Sequence, residues 1–150
     1  MIPRILILDT NVISEVARPT PDERVLAWYL RQPSNELYTT TVTQAEVVYG
    51  IELLDPGRRK DELTAFAQEF FRVEMLGRVL PLDGAAAMEY GRIRAARRKA
   101  GRTMHTMDAQ IAAIAAVHGA AVATRNVTDL EDCGVRVVNP WAEVYSRPGE

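Results

Sequence analysis

At 150 residues the chain fits one domain, long enough to bury a core without disulfides or metals to staple it. Apolar residues at 47% and charged residues at 25% are ordinary globular values, and a net charge of −2 does not announce a nucleic-acid binder. The single cysteine, Cys133, excludes an internal disulfide and a cysteine zinc cluster, and it fits a reducing cytosol. No apolar run approaches the roughly 18 residues needed to span a bilayer, and Met1-Ile2-Pro3-Arg4 leads straight into a strand. The expectation is therefore a cytoplasmic protein with no membrane span and no signal peptide. All basic residues are arginine except Lys60 and Lys99. A codon bias towards arginine explains that without function, but the scarcity of lysine bears on the choices below.

Ile5-Leu6-Ile7-Leu8 reads as a strand buried on both faces, the habit of a central parallel strand. Asp9-Thr10-Asn11 closes it, and Val12 to Ala17 follows as a short helix stopped by Arg18-Pro19. Thr20-Pro21-Asp22-Glu23 offers an N-cap, a proline at the first helical position and a capping-box Glu. Val25, Leu26, Tyr29 and Leu30 give that helix its apolar stripe. A brief strand is expected over Leu37 to Thr41, then a helix over Thr43 to Leu54 broken by Asp55-Pro56-Gly57. A longer amphipathic helix is predicted from Arg58 to about Leu76. Val79 to Leu82 is a third strand, and Asp83 caps an alanine-rich helix to Ala100. After the loop Gly101 to His105, Thr106 is expected to cap a helix over Met107 to His118, which Gly119 stops. Ala120 to Thr124 is a fourth strand, Arg125 to Gly134 a polar loop or short helical turn, and Val135 to Val138 a fifth strand. Asn139-Pro140 and a tail with Trp141 and Tyr145 end the chain. Strands alternating with helices imply a parallel sheet with right-handed crossovers, here a small sheet in a thick helical coat.

Four acids stand at the starts or ends of these elements: Asp9 after the first strand, Glu46 and Asp108 in first turns of helices, and Asp129 after the fourth strand. Each has a bland reading. Asp9 is a good helix cap, Thr43-Gln44-Ala45-Glu46 is a formal capping box, Asp108 suits a helix dipole, and Asp129 is an ordinary loop acid. Together they say more. In a parallel sheet the strand ends share one edge, where ligands bind in open α/β folds. Carboxylates sharing a pocket repel one another unless a cation neutralises them, and oxygen-only ligands select hard ions such as Mg²⁺ or Mn²⁺. Such an ion suits phosphoryl transfer with an activated water. His105 and His118 are too few for a zinc site, and no Ser, Cys or His has the partner of a covalent nucleophile.

Leu8-Asp9-Thr10-Asn11-Val12-Ile13-Ser14, Glu46 with Gly50 beyond it, Asp108-Ala109-Gln110-Ile111-Ala112-Ala113 and Thr124-Arg125-Asn126-Val127-Thr128-Asp129-Leu130, in this order and spacing, resemble the PIN domain. The resemblance is closer to the VapC/FitB-type toxins of prokaryotic toxin–antitoxin pairs, and it runs through the whole chain to Asn139-Pro140-Trp141. It implies a three-layer α/β/α domain with a small, mainly parallel central sheet of about five strands. It also implies an endoribonuclease dependent on Mg²⁺ or Mn²⁺, commonly dimeric and inhibited by a co-expressed, VapB-like antitoxin. Asp9, Glu46 and Asp108 carry over as the acidic, metal-binding core. For the fourth position the sequence offers neutral Asn126 and acidic Asp129; Asp129 is favoured as the acid, with Asn126 its hydrogen-bonding neighbour. Thr10 and Asn11 would orient Asp9 or bind the scissile phosphate, with Thr124 beside them. The run Arg92, Arg94, Arg97, Arg98, Lys99 and Arg102 could hold RNA phosphates, although a solvated helix face explains most of it. Arg102 is the member expected nearest Asp108.

Two other functions compete. A haloacid-dehalogenase-like phosphatase needs Asp-x-Asp, where Asn11 stands in the second place, and a lysine in the site, as does a response-regulator receiver. Neither Lys60 nor Lys99 follows a strand. A non-catalytic binding module on the same fold would leave the cost of mutually repelling acids unexplained.

Overall fold

The structure, a computed structural model, describes residues 4–142. Five parallel strands form its sheet in the order β3-β2-β1-β4-β5: β1 (Leu6–Leu8), β2 (Leu37–Thr40), β3 (Val79–Leu80), β4 (Ala121–Ala123) and β5 (Val137–Val138). The helices are α1 (Thr10–Val16), α2 (Glu23–Arg31), α3 (Thr41–Glu52), α4 (Arg58–Glu69), α5 (Gly84–Lys99), α6 (Thr106–His118) and the short α7 (Val127–Leu130).

β1 is the middle strand, buried on both faces as its sequence demands. Side chains alternate across a strand, so Leu6 and Leu8 enter one core and Ile7 the other. The first core also holds Val12, Ile13, Val25, Trp28, Phe70 and Trp141, the second Ile93, Ile111, Ile114 and Leu130. β4 repeats the split, with Ala121 and Ala123 on the first side and Val122 on the second. Two helical layers thus enclose the sheet. α6 buries residues around most of its circumference, which is why its sequence is alanine and isoleucine with almost no polar face.

Several boundaries differ from the sequence expectation, each for a local reason. α2 begins at Glu23 because Asp22 is its cap, with its carboxylate accepting from Arg24 N and Val25 N; Thr20 and Pro21 lie outside. α3 starts directly from β2, because Thr40 Oγ1 accepts from Thr43 N at 3.1 Å. Glu46 is therefore in the second turn and is no capping-box residue. The helix predicted to Leu76 stays α-helical only to Glu69, and Phe70–Glu74 forms a π-turn. That turn seats Phe70 and Phe71 edge-to-face, 5.1 Å apart, in the first core. At α6 the cap position is His105, without a side-chain bond, and Thr106 is the first helical residue. Asp83 does cap α5, through Ala86 N at 3.0 Å, and Gly119 ends α6 in the left-handed conformation. Tyr145 lies outside the described residues.

Candidate active site

The chain leaves β1 in two directions, to β2 and β3 on one side and to β4 and β5 on the other. The β1/β4 boundary is thus the topological switch point, where a parallel sheet opens a crevice beyond its carboxyl ends. Asp9 follows β1 and Thr124 follows β4 at that point.

Asp9 is 5% exposed. Its Oδ1 accepts from Thr10 N at 2.8 Å, and its Oδ2 accepts from Thr124 Oγ1 at 2.7 Å and Asn11 Nδ2 at 3.2 Å. Thr124 Oγ1 in turn accepts from Asn11 Nδ2 and Asn126 N, both at 3.1 Å, and Asn11 Oδ1 accepts from Arg125 N at 3.2 Å. Asn11 thereby ties the end of β1 to the loop after β4. Burial pushes the Asp9 carboxyl above its ordinary value; the Thr124, Thr10 and Asn11 bonds oppose that, and the Glu46 charge adds to it.

Thr10 Oγ1 donates to Glu46 Oε2 at 2.6 Å and lies 3.3 Å from Thr43 Oγ1. Because α3 grows straight out of β2, the second-turn Glu46 reaches back over the sheet edge to α1. The Asp108 side chain, on the third residue of α6, makes no hydrogen bond among the described residues. Its carboxyl is pushed up to about 6, chiefly by burial, then by the charges of Asp9 and Asp129; His105 opposes this and Glu46 reinforces it. The favourable dipole of the helix start is outweighed by desolvation and like charge.

Asp9, Thr10, Asn11, Glu46, His105, Asp108 and Asn126 line one cleft of about 630 Å³. Ser14 also lines it, one helical turn beyond Thr10 and Asn11 on α1, and Thr43 supports Thr10 from beneath. Neither was singled out from the sequence; helical spacing from Thr10 would have marked Ser14, whereas Thr43 gave no signal beyond its place at a helix start. Asp129 stands off the cleft wall and is felt there through its charge on Asp108. Arg102 is elsewhere. It pairs with Asp132 at 2.5 Å and faces a different cavity, with Arg92 and Arg97, so the sequence expectation that it borders Asp108 is not met. The reason is a competing carboxylate in the turn after α7 that the sequence does not bring near.

Apart from His105, the cleft offers mainly carboxylate, hydroxyl and amide oxygens, the donors a hard divalent ion prefers. Among the described residues, no three His, Cys, Asp or Glu side chains stand close enough together to enclose a metal ion as they are placed here. Asp9, Glu46 and Asp108, which reach the cleft from three different elements, are the acids that could hold such an ion, with Asp129 acting on Asp108 by its charge.

The α/β/α sandwich with acids at its switch point defines a class, and the profile of the PIN domain matches residues 6–132. The chain belongs to the PIN domain family. It is 40% identical over 136 residues to the plasmid stability protein StbB of Pseudomonas syringae, covering 91% of this chain and 98% of that protein. It is 36% identical to the VapC ribonuclease Y4jK of Sinorhizobium fredii, covering 91% and 97%. With toxin FitB of Neisseria gonorrhoeae the identity is 38%, covering 91% and 98%. A solved structure of FitAB bound to a DNA fragment superposes with a TM-score of 0.88 at 36% identity, covering 95% of this chain and all of that one. Family and fold exclude the dehalogenase-like phosphatase. The cleft lining agrees, for it contains no lysine, and Lys60 bonds the Glu52 and Leu54 carbonyls instead.

Proposed function

We propose that this protein is an endoribonuclease dependent on Mg²⁺ or Mn²⁺, the toxin of a toxin–antitoxin pair, working in the cytoplasm as a homodimer. The observation that carries the reading is Asp108, whose carboxyl is driven up to about 6 in a cleft it shares with Asp9 and Glu46. Acids brought together against their mutual repulsion make sense where a cation belongs. The relatives named a VapC ribonuclease and toxin FitB, and the FitAB complex, supply the class of activity and a VapB-like antitoxin as partner. Among the described residues no helix is long and apolar enough to cross a membrane.

When bound, the ion supplies a water of lowered pKa and a Lewis acid for the phosphoryl oxygens. The rest is the chain's own work. Thr124, Asn11 and the Thr10 amide fix the Asp9 carboxylate in one orientation, so it meets a ligand without reorganising. Thr10 sets the rotamer of Glu46 by its 2.6 Å bond. His105 lines the same cleft and would be the residue there to meet an RNA phosphate. Asn126 presents its amide at the same wall, beside the backbone that Thr124 anchors.

The test is cleavage of a broad panel of structured RNAs by the purified chain with Mg²⁺ or Mn²⁺, with EDTA and Asp108→Asn as controls. Metal-dependent cleavage lost in the variant supports the reading. The absence of a closed ligand cage favours, as second reading, a non-catalytic PIN-fold binding module. RNA binding without cleavage, unchanged by EDTA, would establish that instead.

A further inference from the structure

We propose that Arg97 is a positioning residue, which holds α7 from α5 and so fixes the Asp129 carboxylate beside the acid cleft. This rests on the metal-site reading above. Arg97 is only 7% exposed, and none of the salt bridges among the described residues involves it. Its Nη1 donates to the Glu131 carbonyl and lies 3.7 Å from Cys133 Sγ, and its Nη2 donates to the Asp129 carbonyl at 3.5 Å. Its buried Nε has no partner. A guanidinium taken out of water and given mostly carbonyls in return is costly to keep.

What it gains is geometry. α7 spans four residues, with no side-chain bond at its start, and its last carbonyls have no helical partner. Arg97 takes the carbonyls of Asp129 and Glu131 in one planar fork, which a point charge could not do. Leu130, 1% exposed, pins the opposite side of the turn into the second core. Two residues beyond Leu130, Asp132 has φ of 59° and is held by Arg102, so the chain is gripped once more where it doubles back. Two arginines of the basic run thereby serve the α7 segment. Asp129 thus has its own carbonyl held by Arg97 and its chain neighbour Leu130 buried in the core, and its charge is felt at Asp108.

The experiment is Mn²⁺ binding to the full chain, read by electron paramagnetic resonance of the free ion. It compares wild type with Arg97→Met, Arg97→Lys, Asp129→Asn and the Arg97→Met/Asp129→Asn pair. Arg97→Met is expected to weaken binding about 10-fold, the scale of losing a residue that orients a ligand. Arg97→Lys, which keeps the charge without the fork, falls in between and carries the comparison should Arg97→Met not fold. The double variant binds no more weakly than Asp129→Asn alone, because both changes remove the same carboxylate. Losses that multiply, or wild-type affinity in both Arg97 variants, overturn the proposal. Wild-type affinity in Asp129→Asn overturns it while leaving the metal site standing. A wild type that binds no Mn²⁺ overturns the site reading and this proposal together.

Discussion

Asp9 and Asp108 face the same cleft from two regions built on opposite plans. At the β1/β4 edge, Asp9 is buried and accepts hydrogen bonds from Thr10, Asn11 and Thr124. At the start of α6, Asp108 is half-exposed, its side chain has no hydrogen bond among the described residues, and it is driven up to about 6 by burial and neighbouring acids. One carboxylate is held in place by the protein; the other is left for a ligand to satisfy. Rigid orientation is supplied where the sheet can supply it, and the strained acid stands at the start of a helix on the open side of the cleft.

The largest expected break in this contrast is in activity. Asp108→Asn should lower RNA cleavage about 100-fold or more, the scale of deleting one preorganised electrostatic group, with secondary structure by circular dichroism unchanged. Thr124→Val comes next and acts on the braced side. It removes the shortest bond to buried Asp9 and should cost about 1–3 kcal/mol in urea denaturation, because the acid stays buried with an acceptor unmet.

A third outcome concerns pH in metal-free protein. Asp108 has a folded-state pKa above its ordinary 3.8, so the folded state binds the proton more tightly than the unfolded chain. Below about pH 4 both states are protonated and nothing is lost; as pH rises towards 6, folding loses stability, and above it the loss is complete. Asp108→Asn should therefore raise Tm at pH 7.5 and leave it unchanged near pH 3.5. Equal Tm differences at both pH values would show that the acid is not strained. The smallest effect is on the wild type: Mg²⁺ or Mn²⁺ should raise its Tm more at pH 7.5 than at pH 5, where Asp108 keeps its proton and competes with the ion. In Asp9→Asn that rise should vanish.

Much of this was legible in the sequence because it rests on short-range rules. The four aliphatic residues from Ile5 place β1, the end of that run places Asp9, and Gly119 marks the stop of α6. Asp108 was found because a first-turn acid needs only the helix start, which sequence locates to within a residue. What stayed hidden depends on contacts distant in the chain. Thr43 looked like the cap of α3 until Thr40, still in β2, took its amide. Arg102 looked free for RNA because its partner Asp132 lies 30 residues on, in a turn with positive φ. The choice between Asn126 and Asp129 fell at a helix of four residues, with Asn126 at its cap position and Asp129 inside it, too short for any periodicity to orient. The structure puts Asn126 in the cleft lining and leaves Asp129 out of it, acting on Asp108 by its charge.

The direct passage of β2 into α3 also bears on how this chain can change length. Thr40 ends the strand and caps the helix, so no slack separates the sheet from Glu46. A single residue inserted after Thr40 would turn every later position of α3 by about 100° and carry Glu46 out of the cleft. The stretch between Glu52 and Arg58 is joined to α4 by a side chain, Lys60 donating to the Glu52 and Leu54 carbonyls, and not by a residue shared between two elements. Insertions and deletions should be tolerated there and selected against at the β2–α3 junction.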